Sequence, residues 1–453
     1  MKLLFAVLLL VAGCTVLAPD LKRLYEVGEK NEFQNPVILI PGAFGSRLRD
    51  AKTKEEVWPG SLFNILFNDY EQIALPIDRK TMHPAETTLE AYGVFDAAAG
   101  RDYYGQIMRT LEQAGGYVRG KPGQPAKKTE RRYYVFAYDW RQDNVESAKQ
   151  LDRLIEQIRV DYGDRKLKAD LVGHSMGGLI ARYYLRYGTT DVLDSNDFPI
   201  NNHGASRVRK IILVGTPNLG SVNALQEFLT GSEIGFRNIA PEVLATMPSA
   251  YQLFPHPIGT WLVTSEGKEL ERDLFDAEIW RRFEWSVFDK KIEERVIGRF
   301  PDRAEGKAYL HLLQRYFEKH IERGRRFVWS LSLENKQSEA QYVVFGGDCN
   351  LTPARILVED VKGDSLVRLY PNEVTQRVRG VDYEKLMLEP GDGRVTKPSL
   401  LARHALDPFV PRHKYSYFPL HYSVLICESH QFLTGNINFQ DNLLNILLTR
   451  DSP

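Results

Sequence analysis

The strongest constraint on the fold is one serine placed where a buried strand turns into a helix. The segment KADLVGHS ends an apolar run, GGLIARYYLRYG opens a helix closed by Gly188, and Gly173-His174-Ser175-Met176-Gly177 between them fits G-x-S-x-G. In such a turn the serine takes a strained backbone conformation that presents its hydroxyl, and the glycines let strand and helix approach closely. Neighbouring segments repeat the alternation. PVILIPG, Pro36 to Gly42, is a short apolar strand ended by a turn, and RKIILVGTP is another strand. Val145 to Gly163 places Ala148, Leu151, Ile155 and Ile158 on one helical face behind Asp143 and Glu146. Alternation of this kind predicts right-handed crossovers and a mostly parallel central sheet flanked by helices on both faces.

Two stretches break the pattern. From about Arg47 to Gly100 lies an insertion after the first strand, containing VWPGSLFNILFNDYEQIALP with Trp58, Phe63, Leu66 and Phe67. From about Ser221 to Asn335 runs a longer one with helix-like stretches, WRRFEWSVFDKKIEERV and YLHLLQRYFEKHIERG, expected to form a helical cap or lid. AQYVVFGG, Ala340 to Gly347, resumes the sheet; HYSVLI supplies a last strand, and a helix ending in NLLNILLTR follows it. The expected organisation is a core over 35–220 with its insertion at 47–100, a cap over 221–335, and a second core part over 336–453.

A serine hydroxyl is a weak nucleophile, so the turn predicts a histidine to take its proton and a carboxylate to orient that histidine. On sheets of this kind the three follow in the order serine, acid, histidine, with the histidine after the last strand. Among the ten histidines, His430 in LICESHQFLTGN holds that place; His421 falls on the strand itself, and His404 and His413 come too early. The acid is expected after the strand ending near Gly347. Asp348 follows at once, whereas Asp392 occupies the glycine-flanked turn EPGDGRVTKPSL; Asp392 is favoured, with Asp348 as the alternative. Two backbone amides are candidate oxyanion donors: that of Met176 at the helix start, and that of Ala43 or Phe44 in PGAFGS.

Lys plus Arg and Asp plus Glu each number 59, so the overall balance offers no electrostatic footprint for nucleic acid. At the N-terminus, MKLLFAVLLLVAGC carries Lys2, an apolar run from Leu3 to Val11, and small residues before Cys14. That run is too short to span a bilayer and is expected to be a secretion signal over 1–13. Its ending resembles the lipobox of bacterial lipoproteins, which implies acylation of Cys14, a tether over 14–34 and attachment to a bacterial membrane. Thr15 then favours the outer membrane over the inner; an ordinary signal peptide is the alternative. Of the cysteines beyond the signal, Cys349 and Cys427 fall near the ends of adjacent strands, and a disulfide or two buried free thiols are both open.

Six separated segments then coincide with one family. PVILIPGAFGSRL, VFAYDWR, LVGHSMGGLIARYYL, ILVGTPNLGS, TMPSAYQLFP and GDGRVTKPSL resemble, in that order, the signatures of the lecithin:cholesterol acyltransferase and lysosomal phospholipase A2 family, from Pro36 to His430. The resemblance implies an α/β-hydrolase fold, a phospholipid or acylglycerol ester as acyl donor, an alcohol or sterol as optional acceptor, and neither metal nor cofactor. It assigns Ser175 as nucleophile, Asp392 as acid, His430 as base, and the amides of Ala43 and Met176 as the oxyanion hole. In the family the insertion after the first strand binds membrane, so residues 57–76 are expected to meet a lipid interface or else to pack against the sheet. A lid is expected from about Leu219 to Ala240, hinged at Gly220, Gly231 and Gly235. Ala43 stands where members often carry a polar residue, which leaves a backbone donor alone. Competing functions on the same fold are a non-catalytic lipid-binding lipoprotein and a small-ester hydrolase.

Overall fold

In chain order the first half runs β1 (Val37–Ile40), β2 (Ser46–Asp50), β3 (Glu56–Trp58), β4 (Leu89–Val94), α1 (Gly105–Gln113), β5 (Val118–Arg119), β6 (Arg132–Val135), α2 (Asn144–Asp161), β7 (Ala169–His174), α3 (Met176–Tyr187) and β8 (Val208–Val214). There follow α4 (Val222–Thr230), a hairpin of β9 (Ser232–Ile234) and β10 (Arg237–Ile239), β11 (Leu262–Thr264), α5 (Ala277–Arg282), α6 (Lys290–Gly298) and the long α7 (Arg303–Ser330). The chain ends with β12 (Tyr342–Gly347), β13 (Asn350–Pro353), β14 (Ile356–Val361), β15 (Asp364–Arg368), β16 (Leu388–Gly391), β17 (Leu420–Ile426) and α8 (Ile437–Leu448). This computed structural model describes residues 18–26, 35–60, 69–98, 101–234, 237–335, 340, 342–362 and 364–449. The expected signal segment, Cys14, Phe63, Leu66, Phe67 and Gly235 lie outside the described residues.

The central sheet has the order β17-β12-β8-β7-β1-β6-β5, and every neighbouring pair is parallel. Successive side chains of a strand point to opposite faces. Ile38, Ile40, Leu171, Ile211 and Leu213 accordingly join one core cluster with Leu151 and Ile155 of α2 and Leu179 of α3. Val37, Leu39, Val172, Ile212 and Val214 join a second with Ile107 and Leu111 of α1 and Leu443 and Leu447 of α8. Both faces are covered, which is why β1 is apolar at every position instead of alternating. This is the α/β-hydrolase fold. Helix α2 starts where Asp143 accepts a hydrogen bond from the Val145 amide, and it buries Ala148, Leu151, Ile155 and Ile158.

The insertion after β1 is itself built: β2, flanked by β3 and β4, forms a three-stranded antiparallel sheet. Trp58 at the end of β3 is buried rather than facing outward. Its ring lies 5.4 Å from Phe44, 5.1 Å from Tyr70 and 5.3 Å from Trp140, so at this aromatic the packing alternative holds. The cap region is helical around α7, but it is stitched to the end of the chain by strands. β11 pairs with β14, and β14 with β15, so one small sheet crosses the expected division at 335. Cys349 and Cys427 are joined by a disulfide, with Cα atoms 5.1 Å apart and 78 residues between them in sequence.

Candidate active site

Ser175 stands between β7 and α3 with φ 52° and ψ −125°, a region L-residues seldom occupy. Two contacts hold it there. Its amide donates to the Val214 carbonyl at 2.7 Å, and the helix beyond approaches β1 so closely that a Cβ on Gly177 would sit 2.4 Å from the Ile40 carbonyl oxygen. Substitution at Gly177 would push strand and helix apart, which is the physical content of the second glycine in the motif.

The segments that follow β17 and β16 converge on this turn. His430 Nε2 lies 3.0 Å from Ser175 Oγ, and His430 Nδ1 lies 2.8 Å from Asp392 Oδ2. The other carboxylate oxygen of Asp392 accepts the amides of Arg394 at 3.0 Å and Val395 at 2.8 Å, and the His430 amide donates to the Asp392 carbonyl at 2.9 Å. Burial alone would raise the Asp392 carboxyl; the His430 ring and the two amides outweigh it and hold the group below its ordinary value. An ionised Asp392 only accepts, so Nδ1 of His430 carries the proton and Nε2 is left to accept from the serine hydroxyl. Asp348, the alternative acid, is not at this site: it pairs with Lys397 at 2.9 Å. His421 is exposed on β17, and the rings of His404 and His413 lie 5.6 Å from one another.

Around the turn after β1, two amides are already committed. Gly42 donates to the Tyr104 hydroxyl at 3.0 Å, and Gly45 to the Gly42 carbonyl at 3.1 Å. Ala43 and Phe44 lie between them, and among the described residues their amides have no such partner. Phe44 has φ 62°, its ring packs 4.5 Å from Trp140, and its carbonyl accepts the Trp58 indole at 2.9 Å, so the buried part of the insertion braces this turn. Met176 is the first residue of α3 and fully buried.

The segment expected as a lid is fastened at its base. The Gly220 carbonyl accepts the Ser399 hydroxyl at 2.6 Å, the Ser221 hydroxyl donates to the Arg394 carbonyl at 2.6 Å, and Arg394 pairs with Glu227 of α4 at 2.6 Å. A Cβ on Gly220, whose φ is +74°, would lie 2.0 Å from the Phe254 carbonyl oxygen, so this glycine answers a close approach and the chain there is not a free pivot. Helix α4 is thereby tied to the residues that hold Asp392.

Two residues next to the site carried no sequence signal of their own. His174 Nδ1 lies 2.7 Å from the Tyr104 hydroxyl, and His174 Nε2 lies 3.0 Å from the His430 carbonyl. His174 is a variable position of G-x-S-x-G, and Tyr104, 70 residues earlier, is brought there only by the packing of α1 on the sheet.

Among the described residues no group of three or more His, Cys, Asp or Glu side chains could hold a metal ion. Comparison with known proteins gives a consistent relationship. The lecithin:cholesterol acyltransferase family profile matches residues 102–296. An uncharacterised protein of Saccharomyces cerevisiae is 23% identical over 269 residues, covering 58% of this chain and 36% of that protein. The lecithin-cholesterol acyltransferase-like 4 protein of Arabidopsis thaliana is 26% identical over 178 residues, covering 33% of this chain and 30% of its own length. The chain thus spans about a third of the length of these relatives. In fold it is similar to a chain in the crystal structure of the Tle4–Tli4 complex, with a TM-score of 0.58, 18% identity, and coverage of 91% of this chain and 98% of that one.

Proposed function

We propose that this relative of the lecithin:cholesterol acyltransferases is a serine-dependent lipid acyl hydrolase or acyltransferase that works through an acyl-enzyme. The observation that carries the reading is the 3.0 Å approach of His430 Nε2 to Ser175 Oγ, with Asp392 2.8 Å from the opposite ring nitrogen. His430 takes the hydroxyl proton as Ser175 Oγ forms a bond to the ester carbonyl carbon. The amides of Met176 and Ala43 stabilise the oxyanion, Asp392 balances the imidazolium, and the imidazolium returns its proton to the departing alcohol. Water or a second alcohol, deprotonated by the same ring, then releases the acyl group, so the same three residues serve hydrolysis and transfer.

A lipid ester fits this scheme because burying an acyl chain contributes about 0.8 kcal/mol per methylene, enough to dominate substrate choice. The N-terminal sequence supports export and acylation at Cys14, which would hold the enzyme at the bacterial outer membrane where phospholipids are at hand. The test incubates the protein with mixed phospholipids, with and without a sterol or long-chain alcohol, and identifies the products by mass spectrometry. Free fatty acid marks hydrolysis and a new ester marks transfer. The S175A variant is expected to lower turnover by about four to six orders of magnitude. Retention of more than a tenth of the activity would remove Ser175 from the mechanism and favour a lipid-binding role.

A further inference from the structure

Four hydrogen-bonding groups behind Ser175 form one continuous chain. The Gly42 amide donates to the Tyr104 hydroxyl at 3.0 Å, that hydroxyl lies 2.7 Å from His174 Nδ1, and His174 Nε2 lies 3.0 Å from the His430 carbonyl. Only one arrangement of protons satisfies all of them. A carbonyl only accepts, so Nε2 of His174 carries a proton; an amide only donates, so the Tyr104 oxygen is an acceptor toward Gly42. The phenolic hydrogen is then free for a bare Nδ1, and His174 is the neutral Nε2–H tautomer. A charged His174 would aim a second donor at the Tyr104 oxygen and leave the phenolic hydrogen without a partner.

The surroundings enforce that state. His174 is buried, its ring centroid is 5.0 Å from that of His430, and Leu39, Val94, Ile107, Met108 and Val172 surround it and Tyr104 with apolar surface. Burial, followed by the nearby His430, pushes the His174 imidazole down to about 3. The chain also joins elements that contribute separately to the site: the turn after β1 through Gly42, the residue before the nucleophile, and the backbone of the base itself.

We propose that Tyr104 and His174 are positioning residues for acyl transfer, an uncharged relay that locks the turn after β1 to the His430 segment in one relative geometry around Ser175. This rests on the Ser175–His430–Asp392 reading above. By occupying the Gly42 amide, Tyr104 leaves Ala43 as the next available donor of that turn. By holding the His430 carbonyl, His174 fixes the base from behind without placing a second positive charge beside the imidazolium.

The test compares Y104F, H174Q and H174N with the unaltered enzyme on a long-chain p-nitrophenyl ester, together with fluorophosphonate labelling of Ser175. Each variant is expected to lower kcat by about 10- to 100-fold, the scale of small misplacements of reacting groups, with KM changed less than about threefold. Labelling should slow in parallel. H174Q retains a donor for the His430 carbonyl and H174N an acceptor for Tyr104, so both carry the test if Y104F does not fold. Because the relay acts as one unit, Y104F/H174Q is expected to be no more than about twofold slower than the worse single variant. Multiplying losses, or kcat within about twofold in all three single variants while S175A is inactive, would overturn the relay and leave the Ser175 reading intact. An active S175A would overturn the Ser175 reading itself.

Discussion

Two buried carboxylates in this molecule are held in nearly the same way and can do different things. Where the cap meets the core, Asp143 accepts the Val145 amide and the Gln252 amide group, each at 2.9 Å, and pairs with the Arg323 guanidinium at 2.5 Å; Arg323 in turn pairs with Asp191 at 2.6 Å. At the candidate active site Asp392 accepts two amides and pairs with the His430 ring. Burial would raise both carboxyls, and in both the paired side chain and the hydrogen bonds bring them below the ordinary value. The partner makes the difference. A guanidinium keeps its proton, so the Asp143 cluster can only fasten α7 to the start of α2; an imidazole exchanges one, and its far nitrogen touches a hydroxyl.

Cutting each carboxylate off from its partner should separate the two regions. D392N is expected to lower kcat by about four orders of magnitude through the wrong imidazole tautomer, with little change in the folding midpoint; ester turnover and thermal melting measure both. R323M should do the reverse. It strands Asp143 uncompensated and is expected to cost about 3–5 kcal/mol of stability, read from denaturant unfolding, while the folded fraction keeps its kcat. A D392N that melts early with normal kcat would erase the contrast.

The disulfide gives an intermediate case, because it braces the site without belonging to the chemistry. C349S/C427S is expected to lose about 2–4 kcal/mol, seen as an earlier unfolding midpoint that added reductant no longer changes. The smallest effect is on pH. His174 at the site and His320 in the cap are both pushed down to about 3, in each case first by burial. Below about 6.5 the unfolded chain binds protons at these rings that the folded chain refuses until about 3, so stability falls as pH drops across that window. Asp143 and Asp392, with lowered values, contribute stability that is present above the ordinary carboxylate range and is lost only as pH falls through their lowered values. Midpoints measured from pH 7 to 4 should decline, and H320F should reduce the slope by up to about 1.4 kcal/mol per pH unit.

Much of the sheet was legible because its central parallel strands carry short apolar runs and their helices repeat at 3.6 residues. The strands at Val37–Ile40, Ala169–His174, Val208–Val214 and Tyr342–Gly347 stand where their apolar runs placed them, and the half-exposed edge strand Leu420–Ile426 stands where HYSVLI did. The far edge was not. β5 has two residues, both exposed, and β6 begins with Arg132, so neither carries the apolar run that marks a central strand. The insertion stayed ambiguous for another reason: its aromatics suit a lipid interface as well as a core, and only the tertiary packing of Trp58 on Phe44, Tyr70 and Trp140 decides for that residue. The approach of Asp392 and His430 to Ser175 follows chain order, which the sequence displays. The contact of Tyr104 with His174 does not; it depends on how α1 seats against β7, and no local pattern encodes that.

One consequence of the Cys349–Cys427 link concerns the order in which the polypeptide is made. Ser175 and its turn are synthesised well before β17 and His430, which stands three residues beyond Cys427. The turn at Ser175 is therefore made long before the histidine that lies against it. The covalent tie joins the segments just beyond β12 and β17, so the strand that carries His430 to Ser175 is fastened to its neighbour by a bond that spans 78 residues made after the serine turn.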